Sequence, residues 1–186
     1  MNSFYSETEL HALGLKQFGT NVKISRKASI YGSNNIVIGN NVRIDDFCIL
    51  SGKIEFGNYI HIAAHSVIYG GDQGVVLDDY SNVSSMVSIY AISDDYSGLS
   101  MTNPMIPDNF KNVDSRKVVI GRHVIIGTHS VVLPGVYLRE GSAFGAFSLI
   151  NHDSEEWSIN TGIPFVKLKD RNKYILDLEK ILMNKR

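Results

Sequence analysis

The sequence predicts an all-β solenoid of six-residue repeats, and three observations carry that prediction. A bulky aliphatic or aromatic residue recurs every six positions at Ile38, Ile44, Leu50, Phe56, Ile62 and Ile68. After a three-residue slip the spacing continues at Leu77, Val83 and Ile89, and after an irregular stretch it runs from Ile120 through Ile126, Val132, Leu138, Phe144 and Ile150. The position four residues on is small or aliphatic at Val42, Cys48, Ile54, Ile60, Ser66, Ser81, Val87, Val124, Ser130, Val136, Ser142 and Ser148. Such a residue fits where a second inward side chain must lie beside a larger one. Finally, glycine follows the large residue at Gly39, Gly57, Gly121, Gly127 and Gly145, which implies a tight corner needing positive φ. A helix repeats every ~3.6 residues and a strand every ~2, so neither gives this rhythm. A fixed short period is the mark of stacked coils.

Each element follows in chain order. Residues 1–21 form an N-terminal cap, where Ser6 and Glu9 make a capping box for a short helix carrying Leu10 and Leu13. That helix would cover the open strand edge of the first coil. Residues 22–166 form the β-helix, three hexads to a triangular coil, with coils stacked at the usual strand spacing of roughly 4.8 Å. The stretch 91–117 breaks the hexads and concentrates Asp94, Asp95, Tyr96, Asn103, Pro104 and Pro107; a long polar excursion from a rigid solenoid marks a functional loop. The tail, 167–186, reads as a C-terminal helix from about Asp170 to Lys185, with Tyr174, Leu178 and Ile181 on one stripe as an end cap.

Composition narrows the function. The 186 residues fit a single domain. A net charge of −1 leaves no electrostatic footprint for nucleic acid or an anionic membrane. The start MNSFYSETELHALG lacks a secretory signal, and no apolar run has the length for membrane insertion. The lone cysteine, Cys48, sits at an inward repeat position and reads as core. These features predict a cytoplasmic protein.

The hexads resemble those of the hexapeptide-repeat acyltransferases, left-handed parallel β-helix enzymes. The stretch VVIGRHVIIGTHSVVLPGVYLREGSAFGAFSLI (118–150), with GIP at 162–164, resembles the closing coils of galactoside, maltose and xenobiotic acetyltransferases. The segments SDDYSG (93–98) and MTNP (101–104) are similar to acetyltransferases of bacterial surface-polysaccharide clusters. The resemblance implies left-handedness, acetyl-CoA as cosubstrate, no metal cofactor, and a homotrimer with its sites between subunits. The expected reaction is O-acetylation of a sugar hydroxyl in O-antigen or capsule biosynthesis. A (nucleotide-)amino-sugar N-acetyltransferase is the alternative.

Acetyl transfer to a hydroxyl needs a base, and histidine, with its unperturbed pKa of about 6.5, suits the task. Of six histidines, His61, His65, His123 and His129 fall at outward repeat positions. His61 is the first candidate base and His123 the second. Asp94 occupies the place of the family's catalytic histidine, so Asp94 or Asp95 is the expected orienting carboxylate. His65 falls near a substrate-contacting asparagine of the family, and Asp95, Tyr96 and Asn103 join it as substrate-binding candidates. The resemblance also implies that the pantetheine arm runs past Thr128 and Ala146, with Gly127 and Gly145 admitting it. Lys167 and Lys169 are the candidates for the nucleotide phosphates, since the family's threonine–lysine pair is Asn151–His152 here.

Two further classes share this kind of repeat. A gamma-carbonic-anhydrase-like zinc enzyme places two histidine ligands five residues apart, whereas the spacings here are four (His61, His65) and six (His123, His129). A non-catalytic solenoid favours flat threonine-rich faces, which this chain lacks.

Overall fold

The computed structural model describes residues 3–184; the first and last two residues of the expected caps, Lys185 among them, lie outside the described residues. The chain winds as a left-handed parallel β-helix with three faces. Ile38, Phe56, Leu77, Ile120 and Leu138 pair in register along the first face. Ile44, Ile62, Val83, Ile126 and Phe144 do so along the second, and Leu50, Ile68, Ile89, Val132 and Ile150 along the third. These residues and the small ones four positions on are all buried. The six-residue rhythm is therefore the inward side of a prism.

The solenoid begins at Gln17–Phe18, a little ahead of the expected start at residue 22, in a coil that precedes the hexad run. Phe18, Ile24 and Ile30 pair with Ile38, Ile44 and Leu50. An eight-residue step from Ile30 to Ile38, taken up by a 3-10 turn at Ser33–Asn35, hides this coil from the periodicity. The capping box forms as expected: Ser6 Oγ accepts from Glu9 N, and the Glu9 carboxylate accepts from Ser6 N at 2.8 Å. It starts helix α1, Glu7–Ala12, which buries Leu10.

The glycine expectation needs correction. None of Gly39, Gly57, Gly121, Gly127 or Gly145 has positive φ. They are required because the next coil passes too close for a Cβ. One built on Gly39 would lie 2.2 Å from Gly57 O, and one on Gly127 would lie 2.6 Å from Ala146 N. Positive φ falls instead three residues after the inward residue. Asn41, Tyr59, Tyr80, His123 and Gly141 take it between the first and second faces, and Phe47, His65, Met86, His129 and Phe147 between the second and third.

The tail is also placed differently from the expectation. Val166–Asp170 turns back antiparallel on Ser158–Thr161 and closes the sheet edge. Helix α2, Ile175–Asn184, then lies along the first–second corner, not across the end. Its Ile175, Leu178 and Leu182 face Tyr59, Tyr80 and His123 across a narrow cleft, while Tyr174, Leu178 and Ile181 remain about half exposed. No helix among the described residues is long and apolar enough to cross a membrane.

Candidate active site

The excursion leaves the third face after buried Ala91 and rejoins the first face at Val118. Its base is an antiparallel pair, Ile92–Ser93 with Asp114–Ser115, pinned where Arg116 N donates to Ala91 O at 2.9 Å. The Asp114 carboxylate takes two bonds of 2.7 Å from the Arg116 guanidinium. Further out, the Asp95 carboxylate accepts from Ser97 N, Ser97 Oγ and Ser100 Oγ at 2.8, 2.9 and 2.7 Å. Those bonds, the Ser97 N–H foremost, hold its carboxyl below the usual range. Asp95 thus organises the loop, with three of its acceptor sites taken up inside it. Asn103 takes positive φ and its side-chain oxygen accepts from Met105 N at 3.0 Å, a turn-forming role.

Two cavities open between this loop and the prism. One, of about 860 Å³, is floored by Tyr69, Tyr90, Val131 and Leu133 and rimmed by Asp94, Tyr96, Asn103 and Lys111. The other, of about 780 Å³, reaches down to Pro134 and Asn151 and includes Arg116. Asp94 and Tyr96 line both. Asp94, on an exposed backbone at the shared wall, is where the two spaces meet.

The histidines separate sharply. His61 lies on the second face, its Nε2–H donating to Asp45 Oδ2 at 2.8 Å, because a carboxylate can only accept. Burial alone would raise the Asp45 carboxyl, but the bonds from His61 and Arg43 outweigh it and leave it lowered. His65 is exposed at a corner, stacked on Phe47 with centroids 4.9 Å apart. His123 departs from the sequence expectation most. It is 3% exposed, stacked on Tyr80 at 5.0 Å, and its Nε2–H is bonded at 2.8 Å to Glu179 of α2. Burial, then the Arg122 and Arg171 guanidinium groups, push its pKa down. A ring sealed in this way has no open side for an acceptor.

The donor candidates lie elsewhere. Thr128 and Ala146 follow Gly127 and Gly145 on the second–third corner, with Ala146 exposed. The Thr128 hydroxyl donates to Ser85 O at 2.6 Å, and Gly145 makes room for the Thr161 hydroxyl of the next coil. These glycines serve the coil stack first. Lys167 is held between Asp170 and Glu155 at 2.8 and 2.7 Å, which raises its pKa to about 12. Both carboxylates are themselves exposed, and Lys169, two residues on, is exposed as well. Among the described residues no three metal-ligating side chains come together.

Stacked coils with an excursion that frames two cavities define a left-handed β-helix with room for small ligands beside its third face. No family model matches the chain. A dTDP-4-amino-4,6-dideoxy-D-glucose acyltransferase of Escherichia coli is 49% identical over 182 residues, 96% of this chain and 94% of its own. AntD, an N-acyltransferase from Bacillus cereus, superposes with a TM-score of 0.98 at 47% identity over 100% of both chains, as a D94A mutant in complex with dTDP and coenzyme A. A putative lipopolysaccharide biosynthesis O-acetyl transferase, WbbJ of Escherichia coli K12, is 29% identical over 80% of this chain and 76% of its own. The chain belongs to the hexapeptide-repeat, left-handed β-helix acyltransferases.

One expectation is overturned here. O-acetylation of a sugar hydroxyl gives way to the amino-sugar alternative, because the more similar relatives are N-acyltransferases or are named for an amino sugar.

Proposed function

We propose that this chain transfers an acyl group from a coenzyme A thioester to the amino group of a dTDP-linked amino-dideoxy sugar. The observation that carries the reading is the 49% identical relative named for dTDP-4-amino-4,6-dideoxy-D-glucose. AntD supports it, having been crystallised as an S84A mutant with dTDP-4-amino-4,6-dideoxyglucose and coenzyme A. This chain carries Ser84 and Asp94 at the numbers altered in the AntD mutants, in a match spanning 100% of both chains. Acetyl-CoA is the proposed donor, although 3-hydroxybutyryl-CoA occupies an AntD complex. WbbJ supports a setting in surface-polysaccharide biosynthesis, and the proposed location is the cytoplasm.

The chemistry follows from an amine acceptor. Its nitrogen lone pair attacks the thioester carbonyl; the C–N bond forms, the C–S bond breaks, and the departing thiolate takes up one proton as the amine gives one up. Asp94 accepts an N–H of the sugar amine and aims the lone pair, so no buried histidine is called for. His61→Ala then retains turnover within about tenfold, below what a positioned base contributes. A loss of a hundredfold or more would return the base to the second face.

The assembly follows from the same geometry. Ser84, Thr128 and Ala146 lie on the second-face side of the third face, whereas Asp94 and Asn151 lie at its other edge. Roughly 17 Å of strand and corner separates the two edges, taking ~3.3 Å per residue from Met86 to Ala91. We read a donor on one edge and Asp94 on the other as contributed by different copies, and this separation supports that reading. The proposed active species is a homotrimer with three interfacial sites.

The test is incubation with acetyl-CoA and dTDP-4-amino-4,6-dideoxyglucose, followed by thiol release and mass spectrometry of the product. An N-acetylated nucleotide sugar is the expected result, abolished by Asp94→Ala. No turnover with this acceptor, alongside turnover of a hydroxyl sugar, would overturn the reading.

A further inference from the structure

We propose that Lys111 binds the diphosphate of the nucleotide acceptor, with the nucleoside lying over the tyrosine floor beside it. This rests on the nucleotide-sugar reading above and extends it to the residues that recognise the carrier. Lys111 is enclosed beneath the excursion: its side chain is 13% exposed, against 59, 34 and 73% for Lys27, Lys167 and Lys180. A lysine whose side chain is enclosed in this way holds its ammonium at the cavity, where a partner offsets the hydration it loses. The one it has is Asp108 at 2.8 Å, whose own side chain is 100% exposed. So exposed a carboxylate contributes little and swings away at little cost.

The cavity that Lys111 lines also carries Asp94, and these are its only two charged lining groups. One seeks a cation and the other an anion. A nucleotide amino sugar presents both ends, an amine on the sugar and a diphosphate next to it. The rest of the lining suits the nucleoside. Tyr69 and Tyr90 stack with centroids 5.4 Å apart and form the floor with Val131 and Leu133. The volume, about 860 Å³, falls in the range of roughly 300–1,000 Å³ that holds small ligands. The ligand anion replaces Asp108 on the ammonium, so the loop arrives with its cation in place.

Coenzyme A carries a diphosphate too, and the test separates the two sources. Binding of dTDP is measured by calorimetry, and KM is measured for both substrates, in the parent and in Lys111→Met, Lys111→Arg and Asp108→Asn. Lys111→Met is expected to weaken dTDP and raise the KM for the nucleotide sugar by about tenfold or more, the usual scale for a lost charged hydrogen bond. Lys111→Arg keeps both within about threefold. Asp108→Asn, which removes the competing carboxylate, leaves dTDP binding as tight as the parent's or tighter. The KM for acetyl-CoA stays constant throughout. Unchanged dTDP affinity in Lys111→Met would overturn the proposal, as would an effect on acetyl-CoA alone. Equal weakening by Asp108→Asn would show that the ion pair merely holds the loop. A Lys111→Met protein that fails to fold leaves the decision to the other two variants. A parent that does not bind dTDP sinks the nucleotide reading itself, a result distinct from a silent Lys111→Met.

Discussion

Two corners of the prism are built alike and finished differently. Both put a residue with positive φ at the same place in each coil, so that side chains stack up the edge. On the first–second corner the stack is Tyr59, Tyr80, His123 and, two coils beyond, Trp157, with the first two steps at 5.0 Å. Gly141 leaves a gap in that column, and the Trp157 ring fills it. On the second–third corner the stack is Phe47 with His65, then Met86, then His129 with Phe147. Helix α2 covers the first column. Glu179 bonds His123 and Arg122, Tyr80 donates to Met183 Sδ, and Arg171 donates to His123 O and Gly141 O. The second column stays bare, with Phe47, Met86 and Phe147 between 45 and 60% exposed. Where a ladder serves the fold, this chain supplies the cover itself. The bare ladder runs beside Thr128 and Ala146, where the proposed donor and a second copy would lie.

The largest expected effect breaks the bare corner on its functional side. Ala146→Trp fills the proposed donor path at an exposed position without touching the coil interior, so circular dichroism should not change. The kcat/KM for acetyl-CoA should fall by about 10² or more, the scale on which misplacing a reactant acts. Unaltered kinetics would move the donor groove to another edge.

A stability contrast comes next. His123→Ala removes a buried ring, opens a gap between Tyr80 and Trp157, and leaves Glu179 with Arg122 alone. A loss of about 2–4 kcal/mol is expected from cavity and hydrogen-bond terms together. Phe147→Ala, an exposed end of the other ladder, should cost the chain's own folding about 0.5 kcal/mol or less, while shifting the mass measured by light scattering if the bare column is a subunit contact. Urea titration of both variants in parallel separates the two roles. Similar losses in both would mean that the corners do not differ.

Much of this was legible in the sequence, and the gaps have physical causes. Residues that point into a prism must be apolar and evenly spaced, so the faces were readable from Ile38 to Ile150. Conformation at the corners was not, because Asn, Tyr, His, Phe and Met all take the positive-φ position and share no composition that signals it. Glycine was noticed for the wrong reason, since contact between coils lies about twenty residues away in sequence. His123 and His129 occupy equivalent repeat positions, yet one is sealed and the other exposed. The difference is Glu179 and its helix, 56 residues later, whose amphipathic stripe does not say what it packs against. Asp94 was reachable through the resemblance of its hexad. Lys111 was not, because enclosure of its side chain depends on how the excursion folds back. The hexads report which side chains point into the prism and say nothing of the acceptor's nucleophile, so the choice between amine and hydroxyl is not written in the repeat.

The smallest expected effect concerns acidity, and it belongs to the covered corner alone. The folded chain holds His123 below its ordinary value of 6.5, chiefly through burial, with Arg122 and Arg171 adding repulsion. The unfolded chain takes up a proton near that ordinary value, so between the folded and unfolded values the unfolded state binds more protons. Stability then rises with pH in that window, and below about 6.5 the covered corner loses stability as the solution is acidified. Above that pH both states hold a neutral ring and the contribution is flat. His123→Phe keeps a ring in the ladder but cannot titrate. Its urea midpoint should therefore fall less than the parent's between neutral pH and pH 5, even if the variant is less stable throughout. His129→Phe, on the bare corner, should leave the parent's pH dependence in place. Parallel curves for the parent and His123→Phe would mean that the ring charges inside the fold, with Glu179 as its counter-ion, and that the cover over this corner tolerates the imidazolium.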